Sequence, residues 1–500
     1  MQETEGLTKI EAGMPVLIGD RIIRISAELA NRFKPGDSLI AVRKTGEILH
    51  IPKEVRQMVF LAVSKALDAF HALTTVSEQQ ITDFYREFAD RLSDEVVWSE
   101  IARVNAADVS RAKEKGRSTT RLVADEKMRR NMIEALHQWQ DLPPVRDQVI
   151  QRVEHDNWSV LQISAGCGVI AFVFEGRPNV LADATGVLRS GNTAVFRIGS
   201  DALSTAKTMM DLAVKPSLRK AGLPEDSVTL LESAEHSAGW ALFADPRLAL
   251  AVARGSGRAT ELLGAIASEA GNATSLHGTG GAWIIADETA DPLRFELAVY
   301  HSTDRKVCNT VNVICIHRKR TDLVQRMLVA LSKRGEKLGY GYRLHVVEGS
   351  ESLIPQDLFQ TETNVMRASG IVGEHVATLL PANMLGHEWE WEQTPEVTFA
   401  GIDSLDEGIR LFNEQSPLFA CSLISENPEA HEYFFRAVNA PFVGNGFTRW
   451  VDGQFALRRP ELGISGWQNG RLLSRCGILT GDGVYTIRLR AHQSDPDLHR

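Results

Sequence analysis

The chain has 500 residues, of which 43% are hydrophobic and 24% charged, and its formal net charge at pH 7 is -9. This length exceeds what one hydrophobic core usually organises, and the mild acidity gives no general attraction to nucleic acid. The chain shows neither a basic and apolar export signal nor a run of about eighteen apolar residues. We therefore expect a cytoplasmic protein of two or more domains that binds neither nucleic acid nor membranes.

The cysteines are odd in number and scattered, with no CxxC pair: Cys167, Cys308, Cys315, Cys421 and Cys476. That arrangement fits neither a disulfide framework nor a zinc site, so we expect reduced thiols and no bound metal. Cys315 lies among apolar residues, and we expect both Cys315 and Cys167 in the core.

The first half of the chain predicts two kinds of element. Residues 14–52 contain PVLIGDRIIRIS and DSLIAVRKTGEILHIP, β-branched runs separated by turn signals, which predict a strand-rich extension over residues 1–58. Apolar residues then recur at helical spacing from Ile81 to Leu92 and from Met128 to Trp139, before two prolines. These two segments are predicted to be amphipathic helices with one buried face.

From about residue 160 the chain changes character. Short apolar runs alternate with helix-like stretches: VIAFVF, TAVFRI, VTLLES, LALAVAR, AWIIAD and VNVICIH. A second series, including LHVVEG, VTFAGI and ACSLIS, continues to about residue 440. This alternation predicts an α/β fold with a parallel sheet covered by helices.

Three stretches place polar or flexible residues where a predicted strand ends, the edge at which open α/β sheets bind ligands. Asn179 follows VIAFVFEGRP, where its amide could donate to an oxyanion or cap the next helix. Arg197 ends TAVFRI and suits a nucleotide ribose or phosphate. Gly255, Ser256 and Gly257 precede a helix whose N–H groups could face a pyrophosphate, although a GSG turn is also common without any ligand.

The stretch HSTDRKVCNTVNVICIH places Cys308 after the basic pair Arg305 and Lys306 and before a β-branched run. A lone cysteine beside a strand is commonly structural, whereas neighbouring cations stabilise a thiolate and favour a nucleophile. Both interpretations are open from this stretch alone. His301 and His317 flank it, but no spacing supports a Cys–His pair, so we expect solvated or hydrogen-bonded histidines.

Four motifs, taken in order, resemble the gamma-glutamyl phosphate reductase branch of the aldehyde dehydrogenase superfamily. GRPNV at 176–180 is similar to the [SA]RPNV turn of that branch, and RSGNTAVFRIG at 189–199 to KSGNAVILRGG. VCNTVNVIC at 307–315 resembles its nucleophile segment, VCNTVETLLV. The stretch NGFTRWVDG from Asn445, followed by ELGIS at 461–465, resembles NASTRFTDG and AEIGIS with the same spacing.

The resemblance covers about residues 60 to 490 and implies the domain organisation of that superfamily. A Rossmann-like nucleotide-binding domain is expected over 59–290 and an α/β catalytic domain over 291–440. Residues 441–500 are expected to return to the nucleotide-binding domain and to an oligomer interface. A homo-oligomer is implied by the resemblance alone.

The resemblance also implies roles for single residues. Cys308 would be the nucleophile, with Asn179 and the backbone N–H of Cys308 forming the oxyanion hole. Arg197 and the 255–257 loop would contact NADPH, and Glu392, or Glu390 one alignment step away, would stand where the superfamily's ribose-binding glutamate lies. Substrate-binding positions implied in the same way are Arg177, Asn309, Asn445, Thr448 and Arg449.

The departures from the branch concern hydrolysis and substrate recognition. Gly278 in LHGTGGAW falls near the glutamate that activates water in hydrolytic aldehyde dehydrogenases, so a thioester would persist for exchange with phosphate or coenzyme A. The arginine four residues before the cysteine is Asp304 here, with Arg305 next, and the GNCH segment is absent. The HARGPMGL loop has become LLSRCGILTG around Cys476. The identity of the acyl group is therefore left open.

The sequence thus predicts NADPH-dependent reduction of an acyl phosphate, gamma-glutamyl phosphate or a related amino-acyl phosphate, to a semialdehyde, as in proline-type biosynthesis. An acyl-CoA reductase or an ordinary aldehyde dehydrogenase on the same scaffold is the alternative. A third interpretation, from a different class, is a non-catalytic partner that shelters an acyl phosphate. Because acyl phosphates are labile, an acyl kinase that passes on its product directly is an expected partner.

Overall fold

A computed structural model describes residues 7–117, 119, 121–367, 370–465 and 477–499. Of the altered loop LLSRCGILTG, the part up to and including Cys476 lies outside these residues. The chain divides into two compact units. Unit 1 consists of Met1–Gly278, Arg458–Ile464 and Ile478–Arg500, and unit 2 of Thr279–Leu457 and Ser465–Gly477. The first boundary therefore lies at residue 278 instead of near 290, and the N-terminal extension belongs to unit 1.

The strand-rich character predicted for the N-terminal extension is confirmed. It contains two antiparallel hairpins joined by a short helix: β1 (Pro15–Ile18), β2 (Arg21–Arg24), α1 (Ala27–Arg32), β3 (Ser38–Val42) and β4 (Glu47–Ile51). Ile10, Ile25 and Phe33 form a small core of its own. Ser26 caps α1 by accepting the Leu29 N–H at 3.1 Å.

Four long helices follow: α2 (Lys53–Ala72), α3 (Glu78–Ser93), α4 (Glu95–Glu114) and α5 (Glu126–Asp141). Helix α3 begins at a capping box formed by Ser77 and Gln80 and buries the aromatic face that its spacing predicts. Helix α5 buries Met132, Leu136 and Trp139 and ends before the two prolines. Both predicted amphipathic helices are confirmed.

Helix α2 is the one helix of the described residues that is long and apolar enough to cross a membrane by length and composition. Core helices of soluble proteins pass the same test, so it is weak support for a membrane span. Val59, Val63 and Ala66 of α2 are buried in a cluster with strands of unit 1. The Ala66 carbonyl also accepts the Thr193 hydroxyl at 2.9 Å.

Unit 1 is built on five parallel strands: β7 (Val169–Phe174), β8 (Thr193–Ile198), β9 (Val228–Leu230), β10 (Leu248–Arg254) and β11 (Thr274–His277). Their order across the sheet is β11–β10–β7–β8–β9. The accompanying helices are α6 (Val180–Ala184), α7 (Leu203–Met209), α8 (Lys215–Ala221), α9 (His236–Phe243) and α10 (Gly257–Glu269). Phe172 and Phe196 belong to one core cluster and Val173 and Val195 to another, so both faces of the sheet are covered.

A second, antiparallel part of unit 1 was not foreseen from the sequence. Strands β5 (Val149–His155) and β6 (Trp158–Ala165) form a hairpin, and β23 (Thr486–Gln493) adds to its other side. A short pair, β21 (Glu461–Ile464) and β22 (Ile478–Thr480), precedes β23 in the chain. Of the C-terminal segment, residues 458–464 and 478–500 belong to unit 1.

Asn192 ties this returning segment to the sheet. Its side-chain oxygen accepts the N–H groups of Cys167 at 2.6 Å and Gly168 at 3.1 Å, and its nitrogen donates to the Val484 carbonyl at 2.7 Å. Cys167 was expected in the core, and that expectation is wrong, because the residue is exposed. It lies in the turn before β7, where Asn192 holds its backbone.

Unit 2 contains seven parallel strands: β12 (Ala282–Ala286), β13 (Val311–His317), β14 (Arg343–Val347), β17 (Ala377–Leu380), β18 (Glu396–Ile402), β19 (Ala420–Ile424) and β20 (Phe442–Gly444). Their order is β17–β14–β18–β13–β12–β19–β20. The remaining elements are the hairpin β15 (Glu362–Arg367) and β16 (Gly370–His375) and the helices α11 (Pro292–His301), α12 (Thr321–Leu338), α13 (Leu405–Gln415), α14 (Pro428–Ala437) and α15 (Gly453–Leu457). Cys315 of β13 is fully buried, as predicted.

Replacing Asn192 by alanine is expected to destabilise unit 1. Two backbone N–H groups and one carbonyl would lose their partner, at about 1–3 kcal/mol for each buried group left unpaired. The urea midpoint measured by circular dichroism should fall. Asn383→Ala, at an exposed position, is the control, and equal midpoints for the two variants would contradict the assigned role.

Asp37 should make the stability of unit 1 depend on pH. Burial alone would raise its pKa, but hydrogen bonds from His50 and from the Lys34 and Lys53 amides lower it below the ordinary value of 3.8. A lowered folded-state pKa means that the stabilisation is complete above the unfolded-state pKa and is lost as pH falls through the folded-state value.

The difference in unfolding free energy between the wild-type protein and Asp37→Asn should therefore be largest near neutral pH and shrink toward pH of about 3. Urea titrations at several pH values measure this difference. A difference that stays constant over the whole range would rule out the linkage.

Candidate active site

The carboxyl edge of the five-stranded sheet holds the site residues predicted for unit 1. Asn179 lies just after β7, half-buried, at the start of α6. Its side chain does not cap that helix, so the capping alternative is wrong. Instead its amide nitrogen donates to Asp183 Oδ2 at 2.6 Å. Because an amide has two N–H groups, this bond orients Asn179 and leaves it a second donor.

Arg197 combines burial with an unused donor. The residue is 6% exposed, and its Nη2 donates to the Ala234 carbonyl at 2.8 Å. Its Nε has no hydrogen-bond partner among the described residues. Burial lowers the pKa of Arg197, and the charge of Glu175 opposes that shift. A buried guanidinium with an unsatisfied N–H is the donor that an anionic or hydroxyl-bearing ligand would complete.

The 255–257 loop leads directly into α10, as predicted, with Ser256 at the N-cap position. The Ser256 side chain makes no capping bond, and its N–H donates to Glu175 Oε1 at 2.7 Å. A Cβ on Gly255 would lie 2.7 Å from the same oxygen, so only glycine allows this approach. The chain thus places its own carboxylate where an anion is expected at a helix N-terminus.

Gly278 follows β11 at the same edge. A Cβ there would overlap the Thr260 hydroxyl and lie 3.0 Å from the Gly257 Cα atom. The position that carries a glutamate in hydrolytic aldehyde dehydrogenases therefore has no room for a side chain, because α10 packs against it.

His277 is a feature of this edge that sequence reasoning missed. Burial lowers its pKa to about 3, with further contributions from the charges of Arg254 and Arg177. Arg254 forms an ion pair with Glu461 of β21. Arg177, a predicted substrate residue, therefore belongs to a basic neighbourhood around a neutral histidine. The isolated sequence LHGTGG offers no signal for this, since the arginines come from distant segments.

Cys308 lies in a turn between α11 and β13 of unit 2 and is half-buried. The Thr310 hydroxyl donates to the Arg305 carbonyl at 2.6 Å and accepts the Val307 N–H at 2.9 Å. The Cys308 carbonyl accepts the Gly281 N–H at 2.7 Å. We call residues 305–310 the nucleophile turn. Cys308 lies on a braced turn outside the strand and is therefore not core filler like the buried Cys315, and its role as the nucleophile stays a prediction.

Thr448, from the stretch NGFTRWVDG, packs onto this turn. Thr448 donates its hydroxyl to the Asn309 carbonyl at 2.6 Å, and its N–H donates to Ser302 Oγ at 2.8 Å. The Asn309 side chain donates to the Val451 carbonyl at 2.7 Å. Both residues are buried, so their polar groups hold the turn together. Their predicted contact with substrate stays a prediction.

Arg449 is neutralised within unit 2. Its Nε donates to Asp304 at 2.6 Å, and its Nη1 donates to Asn309 Oδ1. The acidic residue that departs from the family pattern thus forms an ion pair with a predicted substrate residue. Arg305 and Asn445 are exposed, and no side-chain hydrogen bond of theirs occurs among the described residues.

A further residue, Glu388, was not selected from the sequence. Its Oε1 accepts Lys306 Nζ at 2.5 Å and its Oε2 accepts the Gly280 N–H at 2.8 Å. Glu390 and Glu392, proposed as ribose ligands, are both exposed. The signal for Glu388 was present in EWEWEQ, but only the fold shows which of its glutamates meets the nucleophile turn.

The two histidines beside the nucleophile segment differ in their surroundings. His301 is exposed, and His317 is buried, with its Nε2 3.0 Å from Glu288 Oε1. The expectation of solvated or hydrogen-bonded histidines is confirmed.

Comparison with known proteins agrees with this geometry. The model of the aldehyde dehydrogenase family matches residues 39–343, a span that includes Asn179, Arg197 and Cys308. A gamma-glutamyl phosphate reductase of Bacillus anthracis (strain CDC 684 / NRRL 3495) is 26% identical over 410 residues, covering 80% of this chain and 91% of that protein.

Two solved structures share the fold. The gamma-glutamyl phosphate reductase of Thermotoga maritima aligns with a TM-score of 0.75 at 20% identity, covering 89% of this chain and 100% of that one. An engineered glycolyl-CoA reductase with bound NADP+ aligns with a TM-score of 0.61 at 16% identity, covering 88% and 98%. Because the family model matches more than half of its length, the chain belongs to the aldehyde dehydrogenase family of oxidoreductases.

Proposed function

We propose that the chain reduces an acyl phosphate, gamma-glutamyl phosphate or a related amino-acyl phosphate, to its semialdehyde with NADPH through a thioester on Cys308. One observation carries the choice of reductase over hydrolytic dehydrogenase: Thr260 fills the space next to Gly278, where a water-activating glutamate would otherwise stand. Without that base a thioester is not rapidly hydrolysed, so it remains for acyl exchange.

In the mechanism that the resemblance implies, Cys308 is the nucleophile and Asn179 an oxyanion donor. The Cys308 thiolate attacks the acyl carbon, and the oxyanion that develops accepts hydrogen bonds from the Asn179 amide and the Cys308 N–H. Phosphate leaves as the C–O bond to it breaks and the thioester forms. Asp183 fixes the direction of the Asn179 amide, so this donor is oriented before the substrate arrives.

The residues of unit 1 fit a nicotinamide dinucleotide. The orphaned Nε of Arg197 would donate to a ribose or phosphate oxygen, and the N–H groups that begin α10 would face the pyrophosphate. By the resemblance, Glu392, which belongs to unit 2, would hold a ribose. When bound, NADPH supplies the hydride that converts the thioester to the aldehyde and returns the thiol. The preference for NADPH over NADH is supported by the resemblance, with Arg197 as a phosphate contact.

The ion pair between Asp304 and Arg449 affects which acyl group the site would recognise. An arginine already matched by a carboxylate is a weaker anchor for a substrate anion, whereas the exposed Arg305 carries a positive charge beside the nucleophile turn. The acyl chain is therefore best found with a panel of amino-aldehydes, in which glutamate semialdehyde is one member.

Coenzyme A is the second candidate acyl partner, because the absence of a water-activating residue suits either exchange. Replacing acyl phosphate by acyl-CoA in the assay separates the two.

We also propose a cytoplasmic homo-oligomer that receives its substrate from an acyl kinase. Light scattering tests the oligomer, and a pull-down without any acyl kinase, together with no kinetic gain from adding one, would argue against the partner.

The first test is NADP+ reduction by the purified protein with glutamate semialdehyde and phosphate. Turnover should require phosphate and should be lost in Cys308→Ala, because no other thiol of the described residues lies on the nucleophile turn. Cys167→Ala, which removes an exposed thiol, is the matched control and should remain active. A fully active Cys308→Ala would refute the thioester. Inactivity of the wild-type protein with every aldehyde and both nucleotides would instead favour the non-catalytic partner.

Asn179→Ala should lower kcat by about 100- to 1,000-fold, the usual effect of losing one oxyanion donor. The variant should fold normally, because Asn179 does not cap α6. Steady-state kinetics and circular dichroism measure the two effects, with Asn383→Ala as the control. A folded Asn179→Ala with full activity would remove Asn179 from the oxyanion hole.

A further inference from the structure

Glu388 joins two groups that flank the nucleophile. Its carboxylate accepts Lys306 Nζ at 2.5 Å through one oxygen and the Gly280 N–H at 2.8 Å through the other. The side chains of Lys306 and Glu388 are only 6% and 16% exposed. Lys306 is two positions before Cys308. A buried ion pair next to a reactive thiol needs a reason, because removing both charges from water is costly.

Gly280 lies directly on the backbone of Cys308. A Cβ at Gly280 would be 2.6 Å from the Cys308 Cα atom and 2.7 Å from its carbonyl oxygen. The next residue, Gly281, donates its N–H to that carbonyl at 2.7 Å. Any group that fixes the Gly280 amide therefore also fixes where the Cys308 backbone can lie.

Asn312 of β13 holds the residues on both sides of Glu388 in the chain. The Asn312 amide donates to the His387 carbonyl at 2.7 Å, and its oxygen accepts the Trp389 N–H at 3.0 Å. The Trp389 ring in turn stacks on His345 with 3.4 Å between ring centroids. The segment that carries the Glu388 carboxylate is therefore held in place next to the nucleophile turn.

The charges around the turn are paired in two sets. Asp304 pairs with Arg449 and Lys306 with Glu388, while Arg305 is exposed. An unpaired Lys306 would add a positive charge beside the thiol, and such a charge favours the thiolate. Glu388 therefore acts on the turn in two ways, through the position of Gly280 and through the charge of Lys306.

We propose that Glu388 is a positioning residue for the nucleophile: it holds the Gly280 amide and the Lys306 ammonium so that the Cys308 backbone and thiol keep their reacting orientation. The proposal rests on the proposed role of Cys308. It assigns no contact between Glu388 and the substrate.

The test compares Glu388→Ala, Glu388→Gln, Lys306→Met and the double variant Glu388→Gln with Lys306→Met. Turnover gives kcat and KM, and the rate of Cys308 alkylation by iodoacetamide is followed against pH. Alkylation needs no turnover, so a failure of this proposal is distinguishable from a failure of the proposed reaction. Peptide mapping confirms that the alkylated residue is Cys308. Glu296→Gln, which breaks the ion pair between the buried carboxylate of Glu296 and the exposed Lys333 of unit 2, is the control.

Glu388→Ala should lower kcat about 10- to 100-fold, as a small displacement of a reacting group does, with KM for NADPH unchanged. Glu388→Gln keeps an acceptor for Gly280 and should recover most of kcat. Because it leaves the Lys306 charge unpaired, its alkylation profile should move to lower pH, and the double variant should move it back. Glu296→Gln should leave kcat and the profile unchanged.

Wild-type kcat in Glu388→Ala would overturn the proposal, as would an alkylation profile that is the same in all four variants. If Glu388→Ala does not fold, the comparison of Glu388→Gln with the double variant decides. A profile that is the same in those two would likewise overturn it.

Discussion

The close contact of the Gly280–Gly281 backbone with Cys308 is the constraint on which the nucleophile turn of unit 2 depends. Gly281 donates to the Cys308 carbonyl at 2.7 Å, and a side chain on Gly280 would collide with Cys308 itself. The nucleophile turn therefore lies against the chain entering β12, next to β13, which pairs with β12 in the sheet. A thiol held in this way needs no further ordering when it reacts.

Polar groups around the nucleophile turn are satisfied before any ligand binds. Thr310, Asn309 and Thr448 use their side chains to hold the turn, and the two ion pairs neutralise most of its charge. Buried polar groups that lack partners are costly, so a rigid reactive turn must supply those partners internally. Several residues that the resemblance places at substrate-binding positions therefore stabilise the nucleophile turn in this chain.

Unit 1 shows the opposite arrangement. At the carboxyl edge of its sheet one buried donor, Nε of Arg197, has no hydrogen-bond partner among the described residues, and the N-terminus of α10 attracts the Glu175 carboxylate. Both features suit an anionic ligand, which would satisfy the guanidinium and compete with Glu175 for the helix end. The nucleophile turn is held rigidly, whereas the carboxyl edge of the unit 1 sheet has an unsatisfied hydrogen-bond donor. This combination fits a family that uses a dissociable dinucleotide.

Local sequence patterns were enough to predict much of this protein's structure and its family. Alternating apolar runs predicted the α/β class, helical spacing predicted α3 and α5, and the motifs around Asn179 and Cys308 indicated the family, because each depends on neighbours in the chain. Cys167 shows the limit of that approach, since it is exposed in a turn that Asn192, the residue before β8, holds by a hydrogen bond. The β5–β6–β23 sheet was missed because its third strand comes from the far end of the chain.

Only the tertiary structure decided which polar residues meet. Glu388 was passed over for Glu390 and Glu392 because three glutamates in one short stretch look alike until a backbone places one of them against Gly280 and Lys306. The same holds for Asp304 with Arg449 and for Thr260 with Gly278. The sequence by itself predicted most of the elements and the candidate reactive groups, since these follow from local patterns. Packing decided their partners, because a hydrogen bond or a steric exclusion depends on distances between segments that lie far apart in the chain.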